Sequence, residues 1–280
     1  MKLTFNYFVI PFLICAGTLN LKAQESLDEK RFELAGMYLQ WGYNLEWYTK
    51  SDLHFKMANG DKFTVHDAKA KQRPDFDAIY KYPFEISVPQ YNYRMGFYIN
   101  KKKTMAIEVN FDHMKYVVVD GHARVSGILD GKEIDEDMVL DPEAFLHIEH
   151  TDGVNLFHFN FVKHDKLLFS EIKNRNLLTY VWKAGAGFNV PRTDFTFRGD
   201  RLNNKFHLAG FNIGAEGGVR YYPAKTFFFE FAAKVGYVNY LNVLADTETT
   251  KGNRANHDFG YVEMMLTMGG DINFNKKRKK

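Results

Sequence analysis

The densest group of side chains able to do chemistry is the run His147-Ile148-Glu149-His150-Thr151-Asp152. In an extended chain alternate residues share a face, so each face of this run carries one histidine and one acid. Imidazole nitrogens and carboxylate oxygens bind divalent metal ions. Together with Asp112, at the end of an earlier segment in which apolar and polar residues alternate, His150 and Asp152 form a candidate site for a divalent cation. The alternative is a hydrogen-bonded rim in which Asp152 and the following glycine form a turn.

The serines offer weaker chemistry. A nucleophilic serine needs a histidine within hydrogen-bond reach. None of the five serines after residue 23 has a histidine two positions away, on its own side of an extended chain. Ser51 with His54, or Ser126 with His122, would have to be brought together by the folding of a loop. This pattern favours a protein that is not an enzyme.

A second acidic run lies in the same part of the chain as the histidine cluster. It lacks the spacing of an EF-hand, and we expect a solvated acidic loop that could attract calcium or a basic partner. Three dipeptides nearby are typical of hairpin turns and predict β-hairpins within the two largest connections. The acids are Asp130, Glu133, Asp135, Glu136, Asp137, Asp141 and Glu143, and the turn signals are Asn59-Gly60, Asp120-Gly121 and Asp130-Gly131.

Eight segments must position these residues. In each segment apolar and polar residues alternate with period two, which indicates a β-strand with two different faces. Most are near the ten residues or so that a tilted strand needs to cross a bilayer. The segments are 37–47, 91–99, 105–112, 157–161, 180–190, 211–221, 227–237 and 262–274.

The connections between these segments alternate in length. Long connections are expected outside the cell and short ones in the periplasm, with 163–176 as a longer exception. The pattern predicts an all-β fold, a closed antiparallel up-and-down transmembrane β-barrel of about eight strands with long outer loops and mostly short periplasmic turns. The long connections are 48–85, 117–153, 192–207 and 242–260, and the short ones are 100–103 and 223–226.

The apolar face of the predicted strands is assigned to lipid. It is crowded with large aromatic residues, and eight strands enclose an interior barely wide enough for side chains. The polar face is rich in glycine, which suits a crowded inner wall. A soluble barrel with its apolar face inside is the alternative. Aromatic residues make up 16% of the chain.

The polar face then carries charges into the barrel. A buried charge without a partner is costly, so we predict a network of ion pairs and hydrogen bonds that closes the lumen. A narrow polar conduit or proton path is the alternative. The predicted network comprises Glu46, Arg94, Glu108, Lys183, Glu216, Arg220, Glu230, Lys234 and Glu263, with Asp112 and Asp271 on the same face.

The two ends of the chain differ from its body. Residues 1–23 combine an early positive charge, a short apolar stretch and a small final residue, which predicts a signal peptide. The only cysteine, Cys15, lies in this stretch. Residues 24–274 are predicted to be the barrel and 275–280 a basic periplasmic tail. The net charge of +3 becomes −4 once the tail's five charges and the leader's two are removed, which does not suit nucleic-acid binding.

On these features the chain resembles the small eight-stranded outer-membrane β-barrels of Gram-negative bacteria, the OmpA/OmpX class and its relatives. The segment from Tyr261 to Phe274, alternating and closing on an aromatic residue, looks like the signal read by barrel-assembly machinery. The tail that follows it departs from that pattern. The resemblance implies a porin-like fold in the cell outer membrane, with membrane lipid and the assembly machinery as partners.

Function is predicted more coarsely than fold. The leading hypothesis is a non-enzymatic role at the surface or in envelope integrity, with a possible extracellular partner bound through the outer loops. One alternative is an enzyme that modifies lipid A-type lipids at the outer rim, as relatives of this class do with histidine, serine and an acid. Another is a lateral conduit for small hydrophobic molecules. No cofactor is expected apart from the divalent cation considered above.

Overall fold

A computed structural model describes residues 32–82, 84–85 and 88–274. The predicted signal peptide and basic tail lie outside these residues. The described part contains one short helix, α1 (Asp77–Lys81), and no helix in it is long and apolar enough to span a membrane. Its strands are β1 (Gly36–Tyr48), β2 (Ser51–Lys56), β3 (Lys62–Ala68), β4 (Ala70–Lys71), β5 (Tyr91–Tyr98), β6 (Met105–His113), β7 (Tyr116–Val118), β8 (Gly121–Leu129) and β9 (Lys132–Leu140). They continue with β10 (Leu146–His150), β11 (Leu156–Ser170), β12 (Arg175–Asn189), β13 (Asp194–Phe197), β14 (Asp200–Asn203), β15 (Gly210–Tyr221), β16 (Phe227–Leu244) and β17 (Arg254–Asn273).

Eight long antiparallel strands pair in a ring, in the order β1-β5-β6-β11-β12-β15-β16-β17. The ladder between β1 and β17, from Gly36↔Asn273 to Tyr48↔Tyr261, joins the two ends of this series. These eight strands are the ones that the alternation predicts. Each occupies its predicted segment, although several extend further.

The two faces of the ring differ as the alternation requires. On β1, Leu39 and Trp47 are about half exposed, whereas Tyr38 and Asn44, on the opposite face of the strand, are buried. The interior is tightly filled, because a Cβ added at Gly96 would lie 2.0 Å from the ring of Tyr38. Glycine at such a position lets a large inward side chain from the neighbouring strand pass.

Two predicted connections are partly strand. The segment 163–176 is the far end of the β11–β12 hairpin, and β16 and β17 run deep into the segment 242–260. Register shifts occur in both places, between Lys166 and Phe169 and between Tyr240 and Val243. On β11, β12 and β16 a bulge adds one residue, so the period-two pattern loses phase. On β17 the phase is kept, and the buried face carries Ala255, His257 and Phe259.

The long connections fold into a β-structure at one end of the ring. The hairpins β2–β3 and β8–β9 continue the barrel sheet beyond β17, and β14-β13-β10-β7-β4 form a second sheet. As predicted, Asn59-Gly60 and Asp130-Gly131 connect hairpin strands. Asp120-Gly121 does not, because β7 and β8, on its two sides, pair into different sheets. We call this structure the outer domain.

The outer domain has its own hydrophobic core. Phe55, Phe63 and Phe195 form the centre, with ring centroids 5.1 Å apart for the first pair and 5.5 Å for Phe55 and Phe195. All three side chains are at most 3% exposed. The core continues to Tyr240 and Phe259, which belong to β16 and β17. Because it includes residues of the ring's own strands, the outer domain is packed onto the barrel rather than tethered to it.

Candidate functional site

The predicted charge network occupies the interior of the ring. Arg94 donates hydrogen bonds to Asp112 at 3.3 Å and to Glu216 at 3.1 Å. Lys234 lies 2.6 Å from the other oxygen of Asp112. These side chains are at most 3% exposed, so each charge depends on its partner rather than on water.

The second half of the network is centred on Lys183. Its Nζ lies 3.3 Å from Glu108, 2.9 Å from Glu216 and 3.0 Å from Glu230. Arg220 donates from Nε to Glu230 at 2.7 Å and stacks on the ring of Phe228, 3.9 Å from its centroid. One lysine thus links three acids that come from three different strands.

Glu46 and Glu263 belong to the predicted set but have no basic partner among the described residues. They face each other across the β1–β17 ladder and are both buried. Glu263 accepts a hydrogen bond from the amide of Asn44 at 2.9 Å. The two carboxyl groups of Glu46 and Glu263 therefore stand apart from the ion-paired part of the network.

The structure does not bring the three predicted metal ligands together. Asp112 points into the ring, where its partners are the arginine and lysine described above. Asp152 is on the outer surface, 3.2 Å from Arg192 and 2.7 Å from Asn203. His150 is buried in the outer domain. Within the described ranges, no three His, Cys, Asp or Glu side chains are grouped so that they could hold a metal ion.

His150 instead pairs with another histidine. Its Nε2 lies 3.2 Å from Nε2 of His257, and its Nδ1 lies 3.1 Å from the hydroxyl of Thr193. Burial lowers the pKa of His150 to about 3 and holds the pKa of His257 well below its ordinary value. Both rings are therefore neutral at physiological pH. In the short contact between them, Nε2 of one ring donates its N–H and Nε2 of the other ring accepts it.

The neighbouring His147 has the opposite environment. Its ring bonds to Asp120 at 2.7 Å and to Glu149 at 3.4 Å, and these two acids raise its pKa. Hydrogen bonds from His147 and Thr151 and the charge of Arg73 lower the pKa of Glu149 to about 2. The cluster is thus a hydrogen-bonded rim, which is the alternative that the sequence offered.

Two serines contact histidines, although not the histidines considered from the sequence. The Ser126 hydroxyl lies 2.7 Å from Nε2 of His66, whose Nδ1 is 3.6 Å from a carboxylate oxygen of Asp52. Ser51 lies 3.4 Å from Nδ1 of His257, but it is only 4% exposed. The contact between Ser126 and His66 joins residues 60 positions apart on β3 and β8. Only the register between these two strands could have predicted it.

The acidic run forms a free sheet edge. Glu133 and Glu136 lie on β9, which among the described residues pairs only with β8. Arg124 donates from Nε and Nη2 to the two carboxylate oxygens of Asp135, and Asp137 lies 2.9 Å from His122. The backbone edge and the two glutamates are left facing solvent.

Solved structures of bacterial outer-membrane proteins align with most of the chain. The outer-membrane protein OprG from Pseudomonas aeruginosa aligns with a TM-score of 0.42 at 9% identity, over 86% of this chain and 98% of that chain. The outer-membrane protease OmpT from Escherichia coli aligns with a TM-score of 0.40 at 5% identity, over 87% and 98%. Neisserial surface protein A aligns with a TM-score of 0.34 at 11% identity, over 85% and 97%. The sequence matches no protein-family model and no curated protein. At such low identities and scores, these likenesses assign no activity to the chain.

Proposed function

We propose that the chain is an outer-membrane β-barrel whose lumen is sealed and whose outer domain binds a basic partner at the cell surface. The observation that carries this proposal is the division of the ring into an aromatic outer face and an ion-paired inner face. An apolar band facing outward is what a bilayer requires of a transmembrane barrel. The buried network leaves the ring acting as an anchor rather than as a channel.

The outer domain supports the second half of the proposal. A free strand edge can accept an added strand from a partner, and the side chains along it then select the partner's charge. Glu133 and Glu136 make this edge acidic, which favours a basic segment. Acids on an edge also discourage self-association, so the partner must supply the opposite charge.

Binding is tested with a strand-forming peptide of alternating lysine and threonine, measured by interferometry on the purified protein in detergent. We expect binding that weakens with salt and is lost when Glu133 and Glu136 are both replaced by lysine. The matched control is Glu248→Lys, an exposed acid on another loop. Equal binding by the edge variant and the control would refute this role for β9.

The anchor is tested separately. We expect intact cells to retain the protein in the outer-membrane fraction, and unboiled protein to migrate faster than boiled protein on a gel. Planar bilayers containing it should show no steady conductance above that of lipid alone. Recovery of the full chain from the soluble periplasm, or stable open channels, would contradict the proposal.

A second candidate function, hydrolysis at the cell surface, is favoured by one observation. Asp52, His66 and Ser126 are arranged in the order of a Ser–His–acid relay, with the serine on Nε2 and the acid on Nδ1. Ser126 is paired with β3 on one side and with β9 on the other, so its backbone provides no ready oxyanion hole. A fluorophosphonate probe distinguishes the two functions. Labelling of the wild type that Ser126→Ala abolishes would favour the hydrolase.

The lateral conduit for hydrophobic molecules remains a hypothesis from the sequence. It needs an opening between two strands of the wall. Every pair of neighbouring strands in the ring is joined by a hydrogen-bonded ladder, so the structure gives no support to such an opening.

A further inference from the structure

We propose that the barrel mouth opposite the outer domain is a binding site for a phosphate group. The site is a cavity of about 170 Å³ at the end of the ring that carries the short turns. It goes beyond the proposed function and depends on it only for the statement that this mouth faces the periplasm.

The walls of the cavity are strongly basic. Lys102 and Lys103 come from the β5–β6 turn, Lys166 and Arg175 from the β11–β12 hairpin, and Lys225 from the β15–β16 turn. Asp271 is the only acid in the lining, so positive charge dominates. Three separate turns bring these cations to one cavity, which concentrates a field that attracts anions.

Two of these cations have fixed positions. The guanidinium of Arg175 donates to the carbonyl oxygens of Tyr222, Pro223 and Ala224, which ties the β11–β12 hairpin to the β15–β16 turn. Lys103 lies over the ring of Tyr98 and bonds to Asn273. The side chains of Lys166 and Lys225 are exposed at the rim. Nζ of Lys166 lies 5.4 Å from the ring centroid of Phe169.

The inner wall carries buried polar atoms that have no partner. Nε2 of His164 and the hydroxyl of Thr179 belong to side chains that are about 95% buried, and neither atom makes a hydrogen bond. Both residues line the cavity. A buried polar atom left unpaired is costly, and a small shift of the wall that exposed the two atoms to the cavity would let a ligand with oxygen atoms bind both.

A further cation, Arg220, lies next to the lining, with its charge paired to Glu230. Tyr98, which lines the cavity, donates to Asp271 at 2.8 Å and accepts from Nη1 of Arg220 at 3.3 Å. Nη2 of Arg220 is buried without a hydrogen-bond partner. Arginine and lysine around unpaired donors are the recognition chemistry of phosphate, whose oxygens accept several charge-assisted hydrogen bonds at once. The group could belong to a soluble phosphate or to a phospholipid head group.

Calorimetry on the purified full chain in a non-ionic detergent tests the site, with pyrophosphate as the probe. We expect saturable binding to the wild type. Lys166→Gln combined with Lys225→Gln should weaken it about tenfold or more, since hydrogen bonds to charged groups are the stronger ones. Thr179→Val, a nearly isosteric change, should weaken it as well. The matched control, Lys62→Gln with Lys132→Gln, removes two exposed lysines from the outer domain and should bind like the wild type.

Absence of pyrophosphate binding to the wild type, or equal affinities for the mouth variant and the control, would overturn the site. Dihexanoyl phosphatidylglycerol distinguishes the two sources. If it displaces pyrophosphate, the site accepts a lipid head group, and if it does not, the ligand is a soluble phosphate. Because this assay needs neither a membrane nor a basic peptide, its failure would leave the surface-binding proposal untouched.

Discussion

At the scale of single residues, the ring and the outer domain accommodate buried titratable side chains in two different ways. Inside the ring, the charges other than those of Glu46 and Glu263 are paired with opposite charges. Inside the outer domain, titratable rings such as His150 are kept neutral by an apolar environment. The stability of the ring should therefore depend on its ion pairs, and the stability of the outer domain on pH.

The first residue-scale prediction concerns Arg220. Replacing it with methionine removes its bond to Glu230 and leaves part of that buried carboxylate unpaired, so we expect a loss of about 3–5 kcal/mol in the free energy of unfolding. Urea unfolding in lipid vesicles measures it. The control is Arg198→Met. The ion pair between Arg198 and Asp130, 2.6 Å apart, is exposed to solvent and should therefore contribute little to stability. Similar losses for the two variants would show that the buried network is not stabilising.

The second prediction concerns pH and the pair His150–His257. The folded protein holds both pKa values below the unfolded value of about 6.5, so only the unfolded state takes up protons just below that pH. The contribution of these two rings to the stability of the outer domain is therefore constant above pH 6.5. It falls as the pH drops towards 3, by up to about 1.4 kcal/mol per pH unit for each ring.

Near-UV circular dichroism during urea unfolding at pH 7 and pH 5 follows this loss. The polar groups around the pair are Ser51, Thr193 and the two tyrosines Tyr116 and Tyr240, and the charged side chain acting on His150 is Glu149. His257→Phe should reduce the pH dependence. His122→Phe, at an exposed position, should keep it. A wild-type curve that is flat between the two pH values would contradict the buried, neutral pair.

At the scale of elements, the sequence predicts the ring better than the outer domain. Each barrel strand has one apolar face and one polar face, so period-two alternation reveals it. The β8–β9 hairpin was also predictable, because the dipeptide Asp130-Gly131 is typical of tight hairpin turns. Both residues have the positive φ that such a turn requires (53° and 71°). Strands β7, β10 and β13 were not predictable. They are three to five residues long, and their partners come from other connections.

The same reasoning explains which candidate sites could be predicted from the sequence and which could not. The inward charges followed from alternation alone, because their place needs only the phase of each strand. The contact of Ser126 with His66 and the basic mouth depend on which turns and hairpins become neighbours. No local pattern encodes that proximity.

The element-scale prediction concerns the core of the outer domain. Phe195→Ala should remove about 3–5 kcal/mol from its stability, because a fully buried phenyl ring stacked between other rings leaves a cavity. Limited proteolysis of the detergent-solubilised protein should then cut within residues 116–154. Phe206→Ala is the control, since that ring is 53% exposed. Equal protease resistance of the two variants would show that Phe195 does not hold the sheets together.

At the scale of the whole molecule, charge is distributed unevenly along the barrel axis. The mouth with short turns is basic and the free edge of the outer domain is acidic, with the apolar band between them. Such a distribution suits a protein that meets different partners on the two sides of a membrane. This distribution places a membrane around the barrel only if the apolar face of the ring meets lipid.

The whole-molecule prediction tests that condition. Ile213 is about half exposed on the wall of the ring, and Ile213→Arg should cost about 2–4 kcal/mol if that surface faces lipid. Ile128→Arg changes an equally exposed isoleucine on the outer domain and should cost little. Unfolding in vesicles compares the two. A harmless Ile213→Arg would mean that the apolar face does not meet lipid.

The length of β17 also has a mechanical consequence. Its 20 residues span about 65 Å if fully extended, and it forms a nearly continuous ladder with β16 from the short-turn mouth to the outer domain. Pulling on the outer domain along the barrel axis would load these hydrogen bonds together, in shear, rather than breaking them one after another. Tension applied by a partner attached to the outer domain would thus pass through β17 and its ladder with β16 directly into the barrel wall.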